Sequence, residues 1–170
     1  MKIASGVSVS VSGRAIAVSG PKGAVFRQFN PVDVVVAVSG DEVDVRMPEG
    51  KKEDRRAKAM VNAIAAHVRN MMEGVQKGYE KKLTLVYAHF PVTVTEKGGV
   101  ITVKNFFGEK SPRTTRVVGK ETKVKVDKQE VTISGIDKEA VAQTAANLMS
   151  ATQITKRDRR VFQDGLYLTP

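Results

Sequence analysis

The chain has 170 residues, of which 41% are hydrophobic and 27% are charged, a composition typical of soluble globular proteins. Its 28 Lys and Arg against 18 Asp and Glu give a net charge of +10, which favours an acidic partner such as nucleic acid. The absence of cysteine excludes disulfides and thiolate metal sites, and no apolar run approaches the roughly 20 residues that span a bilayer. We therefore predict a cytoplasmic protein that has no membrane partner, no metal and no other cofactor.

The first half opens with short strands and ends in a helix. Valines alternate with serines over residues 7–12, and apolar and small residues alternate over 15–19, the period of two that indicates half-buried strands. Further strands are predicted at residues 24–29, 32–38 and 43–45. Apolar side chains then recur at spacings of three and four from Ala57 to Met72, which predicts an amphipathic helix.

The second half follows the same order of elements. Strands are predicted at residues 86–95, 100–103, 116–118, 122–126 and 130–134, with a loop at 105–112. Asp137 is a suitable N-cap for a helix that carries Val141 and Leu148. A basic tail follows Ile154.

Short stretches of sequence recur between the halves, which indicates an internal duplication. Residues 16–18 recur as 101–103 at a separation of 85, and residues 43–45 recur as 131–133 at a separation of 88. The prediction is an α+β protein of two duplicated domains, each a largely antiparallel β-sheet packed against one α-helix. The expected bounds are an N-terminal repeat at 1–76, a connector at 77–86, and a C-terminal repeat with a basic RNA-binding tail at 87–170.

The sequence contains no recognisable catalytic set. Its two histidines, His67 and His89, stand at different places in the repeat and lack the spacing of metal ligands. The turn at residues 20–23 lacks the spacing of a phosphate-binding loop and precedes a strand instead of a helix. We predict that the protein is not an enzyme; a small enzyme that uses the two histidines in a groove between the repeats is the alternative.

Basic side chains are concentrated in two segments of the second half. Residues 104–125 contain seven Lys and Arg against two Glu, and two phenylalanines stand at the head of that loop. Residues 156–160 read KRDRR, and basic tails of this kind commonly fold onto RNA. Guanidinium and ammonium groups neutralise phosphates, whereas aromatic rings stack on bases or anchor the loop. A solvated basic face with core phenylalanines is an equally good interpretation of this composition.

Four ordered motifs resemble one protein family. They read GVQKGYEKKL at residues 74–83, YAHFP at 87–91, NFFGEK at 105–110 and DRRVFQDGLY at 158–167. Together they resemble the large-subunit ribosomal protein six family, in its archaeal and eukaryotic branch and more specifically its archaeal members. The resemblance covers essentially the whole chain and includes the duplication.

The resemblance implies a structural constituent of the large ribosomal subunit that binds large-subunit ribosomal RNA. It places the protein near the sarcin–ricin loop and the region that receives translational GTPases, beside neighbouring ribosomal proteins. A basic nucleic-acid or protein interaction module outside the ribosome is the alternative.

Pro112 departs from the family pattern in this loop, so the resemblance supports an RNA contact of Arg113 less than it supports the other expected contacts. The expected RNA-binding residues are Lys104, Asn105, Lys110, Arg113 and Arg116 in the loop region, Lys156, Arg157, Arg159 and Arg160 in the tail, and, at lower rank, Lys77, Lys81 and Lys82. Phe162, Gly165 and Tyr167 are expected to anchor the tail.

Overall fold

The computed structural model describes residues 1–30, 32, 34–40, 42–48, 54–88, 90–155 and 157–169. Two residues named above, His89 and Lys156, lie outside the described residues. The chain divides into two compact units, Met1–Gly78 and Tyr79–Pro170. In the described part of the chain, no helix combines the length and the apolar character that a membrane crossing requires.

The described part of the first unit forms a three-stranded sheet, a two-stranded hairpin and one helix. The elements are β1 Ser8–Ser12, β2 Ala15–Gly20, β3 Gly23–Gln28, β4 Val35–Ser39, β5 Glu42–Arg46 and α1 Arg55–Gln76. All pairings are antiparallel, in the orders β1-β2-β3 and β4-β5. The alternation in β2 buries Ile16 and Val18, and the stripe of α1 buries Ile64, Val68 and Val75.

The turn at residues 20–23 joins β2 to β3 beside the end of α1. The backbone N–H of Lys22 donates to the carbonyl of Val75 at 3.0 Å, and the ammonium of Lys22 donates to the carbonyl of Lys77. A Cβ atom on Gly20 would lie 2.7 Å from the Val75 side chain, so this position requires glycine for close packing. The structure thus gives this turn a packing role.

The second unit repeats this order and adds two strands. Its elements are β6 Tyr79–Val86, β7 Thr93–Lys97, β8 Val100–Lys104, the 3₁₀ turn Phe106–Gly108, β9 Arg113–Arg116, β10 Lys123–Asp127, β11 Glu130–Gly135, α2 Lys138–Ala151 and β12 Gly165–Leu168. The sheets have the orders β7-β8-β9 and β10-β11-β6-β12 and are antiparallel throughout. Asp137 caps α2 as predicted, because its carboxylate accepts the backbone N–H of Glu139 at 3.0 Å.

The duplication and the α+β fold are confirmed. Residues 16–18 and 101–103 lie in the central strands of the two three-stranded sheets, and residues 43–45 and 131–133 lie in β5 and β11. In the described residues, however, each unit contains two antiparallel sheets where the sequence predicts one.

The predicted connector and tail differ from the structure. Residues 79–86 form β6, the strand between β11 and β12, because Leu83 and Leu85 alternate with polar residues and are buried. The predicted strand at 86–95 is therefore replaced by β6 and β7. The predicted tail also ends in a strand, β12, which pairs with β6 and buries Leu166.

Candidate nucleic-acid interface

The outer face of the sheet β7-β8-β9 presents threonines and cations to solvent. Directly opposed residues of an antiparallel pair lie on the same face, and the registers place Thr93 with Lys104, Lys97 with Val100, and Val100 with Arg116. We call this surface the threonine face; it comprises Thr93, Thr95, Lys97, Val100, Thr102, Lys104, Thr114 and Arg116. All eight of these residues are described by the structure, and none of them is an Asp or a Glu. On the opposite face of the sheet, Val94, Ile101 and Val103 are buried.

The loop that follows β8 is held by aromatic packing. Asn105 and Phe107 both have left-handed backbones, with φ of 60° and 52°. This geometry buries Phe106 completely and sets the Phe107 ring edge-on to Phe106, with centroids 4.8 Å apart. The amide of Asn105 donates to the carbonyl of Pro91 at 3.1 Å, so one predicted RNA ligand already has an internal partner.

Arg113 fastens this loop to the end of α2. Its Nε and Nη2 donate to the two carboxylate oxygens of Glu109 at 2.9 and 2.6 Å, and its guanidinium lies 4.4 Å from the Phe106 ring centroid. Its Nη1 donates to the carbonyls of Ala151 and Gln153 at 3.0 and 3.2 Å, groups that the end of a helix leaves without helical partners. We call this arrangement the Arg113 clasp, and it favours an internal role for a residue predicted to bind RNA.

Arg113 is turned inward because of its position in β9. It pairs in register with Val103, whose side chain is buried, whereas Arg116 pairs with the exposed Val100. Only 24% of the Arg113 side chain is exposed. The alternation of the strand therefore separates the two arginines: Arg113 stabilises the unit, and Arg116 faces solvent.

The arginines of residues 157–160, which we call the arginine segment, lie on the surface of the second unit. The guanidinium of Arg157 lies 5.2 and 5.1 Å from the ring centroids of Phe107 and Phe162. Arg159 donates to the carbonyl of Ile154 at 3.4 Å, and the side chain of Arg160 is exposed. Within the described ranges, no carboxylate lies at ion-pair distance from these three guanidiniums.

The arginine segment is a closed loop that is anchored at both ends. Phe162 packs against the core, and the Tyr167 hydroxyl donates to the carbonyl of Gln163 at 3.0 Å, so both act as the predicted anchors. The backbone N–H of Leu166 donates to the hydroxyl of the buried Thr152, which fixes β12 to the end of α2 at 3.2 Å. In its described residues, the predicted basic tail is therefore a segment held between α2 and β12.

The remaining predicted ligands are more dispersed. Lys110 is exposed on the loop before β9, and Lys77 is exposed at the C-cap of α1. Lys81 is half-buried in β6, and Lys82 pairs with Glu80 at 3.8 Å. The structure places the loop after β8 beside the arginine segment. Asn105 and Arg113, in contrast, form hydrogen bonds within the second unit.

Sequence reasoning missed Lys97 and the threonines of β7 and β8. The alternation in residues 93–97 was available as a signal, but only a strand register shows which residues share a face. Of the two histidines, His67 is half-buried in α1 and His89 lies outside the described residues. In the part of the chain that is described, no three His, Cys, Asp or Glu side chains form a potential metal site.

The Arg113 clasp also sets the acidity of Glu109. Hydrogen bonds from Arg113 are the largest cause that lowers the pKa of Glu109 below its ordinary value of 4.5, and the charges of Arg113 and Arg157 act in the same direction. Partial burial acts in the opposite direction. The same hydrogen bonds raise the pKa of Arg113. Both groups are therefore charged at neutral pH.

We expect Glu109→Gln to remove an acid-sensitive part of the stability. Because the pKa of Glu109 is lower in the folded chain than in the unfolded chain, the unfolded chain binds more protons at pH values near and below 4.5. The stabilisation by the Glu109 carboxylate is therefore fully present above pH 4.5. It is lost as the pH falls through the lowered pKa of the folded state. With 40% of the Glu109 side chain exposed, we expect the variant to cost at most about 1 kcal/mol at neutral pH.

Urea unfolding at about pH 7 and about pH 3 measures this effect. The difference between wild type and Glu109→Gln should shrink at the lower pH. Glu121→Gln, a change at an exposed turn residue without a described partner, is the control and should show a similar small difference at both values. A Glu109→Gln difference that persists undiminished in acid would contradict the clasp.

Comparison with known proteins identifies the family. The profile of the family described as "Ribosomal protein L6" matches residues 3–78 and 90–165, one match in each unit. Proteins named large ribosomal subunit protein uL6 are similar over nearly the full chain. That of Methanocella arvoryzae is 45% identical over 99% of this chain and 94% of its own. The protein of Methanosarcina mazei is 45% identical over 99% of this chain and 93% of its own length. The protein of Staphylothermus marinus is 42% identical over 95% of this chain and 88% of its own length. The chain belongs to the ribosomal protein L6 family, as an archaeal-type member.

Proposed function

We propose that this protein is a structural, non-enzymatic constituent of the large ribosomal subunit that binds large-subunit ribosomal RNA through its second unit. Family membership supports the ribosomal role. The observation that carries the RNA-binding surface is the set of exposed cations on rigid elements of the second unit that have no carboxylate partner among the described residues. Of these cations, we assign to the surface those of the threonine face, of the loop before β9 and of the arginine segment: Lys97, Lys104, Lys110, Arg116, Arg157, Arg159 and Arg160.

The proposed mechanism is charge neutralisation by a preformed surface. The threonine face supplies hydroxyl groups and three cations on a sheet whose inner side is core, so binding requires little reordering of the backbone. Contacts of this kind to phosphate and sugar position a protein on folded RNA and contribute affinity without reading sequence. Lys156, outside the described residues, and the second-rank Lys77, Lys81 and Lys82 remain proposed contacts.

We also propose that the bound region lies near the sarcin–ricin loop and the site of translational GTPases, with neighbouring ribosomal proteins as further partners. The support is the family resemblance of the four sequence motifs. The test therefore uses a large-subunit RNA fragment that contains the sarcin–ricin loop and a fragment of equal length from another region.

Affinity is measured against salt concentration for both fragments. If the seven cations each neutralise one phosphate, the log–log slope should be about −5 to −6, from about 0.7 to 0.9 per phosphate. We expect tighter binding to the fragment with the sarcin–ricin loop, and we expect excess duplex DNA to compete poorly. A salt-insensitive affinity would contradict the mechanism, equal affinity for both fragments would contradict the location, and equal competition by DNA would favour a general basic module.

A further inference from the structure

A cavity of about 450 Å³ lies between the loop after β8 and the segment that follows α2. This volume lies in the usual range for clefts that bind small ligands. Its lining combines an aromatic ring, an aliphatic side chain, a hydroxyl, a carboxylate and two guanidiniums, from Phe107, Ile154, Thr155, Glu109, Arg113 and Arg157.

The walls of this cavity are preorganised. Arg113 and Glu109 hold each other through two hydrogen bonds, and Arg113 is fixed to the end of α2 by two more. Arg157 is exposed and keeps its guanidinium near the rings of Phe107 and Phe162. A ligand that enters therefore meets a guanidinium and aromatic surface that is already in position.

The charges in the cavity discriminate between the parts of a nucleotide. Among the described lining residues, two guanidiniums and one carboxylate give a net charge near +1, and the hydrogen-bonded Glu109 remains ionised at neutral pH. Inside the cavity, a phosphate would be repelled by the Glu109 carboxylate, whereas the exposed Arg157 guanidinium remains available to a phosphate outside the cavity. A nucleobase is neutral, presents a flat face to Arg157 and Phe107, and carries N–H groups that a carboxylate and a hydroxyl accept.

We infer that this cavity receives one unstacked nucleobase of the bound RNA, held by stacking on Arg157 and Phe107 and by hydrogen bonds to Glu109 and Thr155. This inference rests on the proposed RNA-binding function and adds a base contact to the phosphate contacts described above. Bases of single-stranded loops and bulges stack on aromatic rings and guanidinium planes in this way.

Arg157→Lys tests the inference because it keeps the charge and removes the planar group. The matched control is Arg14→Lys, at an exposed arginine of the first unit that lies outside the proposed RNA-binding surface. Binding is measured with the large-subunit RNA fragment that contains the sarcin–ricin loop, and with a fully paired RNA duplex of equal length. Stacking is worth about 1–3 kcal/mol per base, so Arg157→Lys should weaken binding to the fragment about 5-fold to 150-fold with an unchanged salt slope. Arg14→Lys should bind like wild type.

The duplex and a chemical footprint separate the remaining outcomes. The duplex offers no unstacked base, so wild type and Arg157→Lys should bind it equally. On the fragment, wild type should protect the Watson–Crick edge of one base from chemical modification, and Arg157→Lys should not. Wild-type affinity of Arg157→Lys for the fragment, or an equal loss on the duplex, would overturn the base contact. Failure of the wild-type protein to bind either RNA would instead overturn the proposed function.

Urea unfolding shows whether Arg157→Lys remains folded. Should it lower the unfolding midpoint, Arg157→Gln provides the second variant, because its side-chain amide is planar and uncharged. We expect this variant to lower the salt slope by about one and to preserve the footprint. Loss of the footprint in a folded Arg157→Gln protein would count against stacking.

Discussion

Arg113→Ala is expected to lower the free energy of unfolding of the second unit by about 2–3 kcal/mol. The change removes four hydrogen bonds and a ring contact and leaves the carbonyls of Ala151 and Gln153 without that partner. Hydrogen bonds to charged groups contribute about 1.5–3 kcal/mol each in protected sites. We reduce the sum because 24% of the Arg113 side chain and 40% of the Glu109 side chain are exposed.

Urea unfolding followed by circular dichroism measures this loss, and Arg116→Ala is the control. Arg116 lies in the same strand but faces solvent, so its removal should change stability by no more than about 0.5 kcal/mol. Arg113→Lys should recover only part of the stability, because an ammonium cannot make the paired contact with Glu109. Equal effects of Arg113→Ala and Arg116→Ala would show that the clasp contributes little.

Charge reversal of the arginine segment is expected to produce the largest loss of RNA affinity. Replacing Arg157, Arg159 and Arg160 by Glu removes three potential phosphate contacts and introduces three repulsive charges. The salt slope should decrease in magnitude by about 2 to 3, and affinity near physiological salt should fall by about 1,000-fold. The measurement is binding to the large-subunit RNA fragment, followed by reconstitution of the subunit.

The control carries the same change of charge in the first unit. Arg14, Arg46 and Arg55 are exposed there, and their replacement by Glu should weaken binding far less than the reversal in the second unit. Lys51 and Lys52, a further basic pair of the first unit, lie outside the described residues and are left unchanged in this control. Equal losses in the two triple variants would mean that net charge, and not a surface of the second unit, determines binding.

Local signals were sufficient to predict most elements of the fold. The stripes of α1 and α2, the Asp137 cap and the recurring central strands all depend on residues close in sequence. Strand β6 was missed because residues 77–86 were assigned to a connector between the two repeats. Its alternating Leu83 and Leu85 show their role only when β11 and β12 lie on either side.

The basic character of the site could be predicted from the sequence, but the orientation of its individual side chains could not. Composition indicates which segments are basic, but the register separates the inward Arg113 from the outward Arg116. The partners of Arg113 include carbonyls 38 and 40 residues away, and no local pattern indicates such contacts. Long-range hydrogen bonding of this kind determines which cations remain available to a ligand.

The closure of the arginine segment by β12 has a thermodynamic consequence. A disordered basic arm loses conformational entropy when it binds and buries much new surface, which appears as a large negative change in heat capacity. Here Phe162, Thr152 and the β6–β12 pairing order the segment before any RNA arrives. Complex formation by this protein should therefore proceed with a small change in heat capacity, as for the docking of two preformed surfaces.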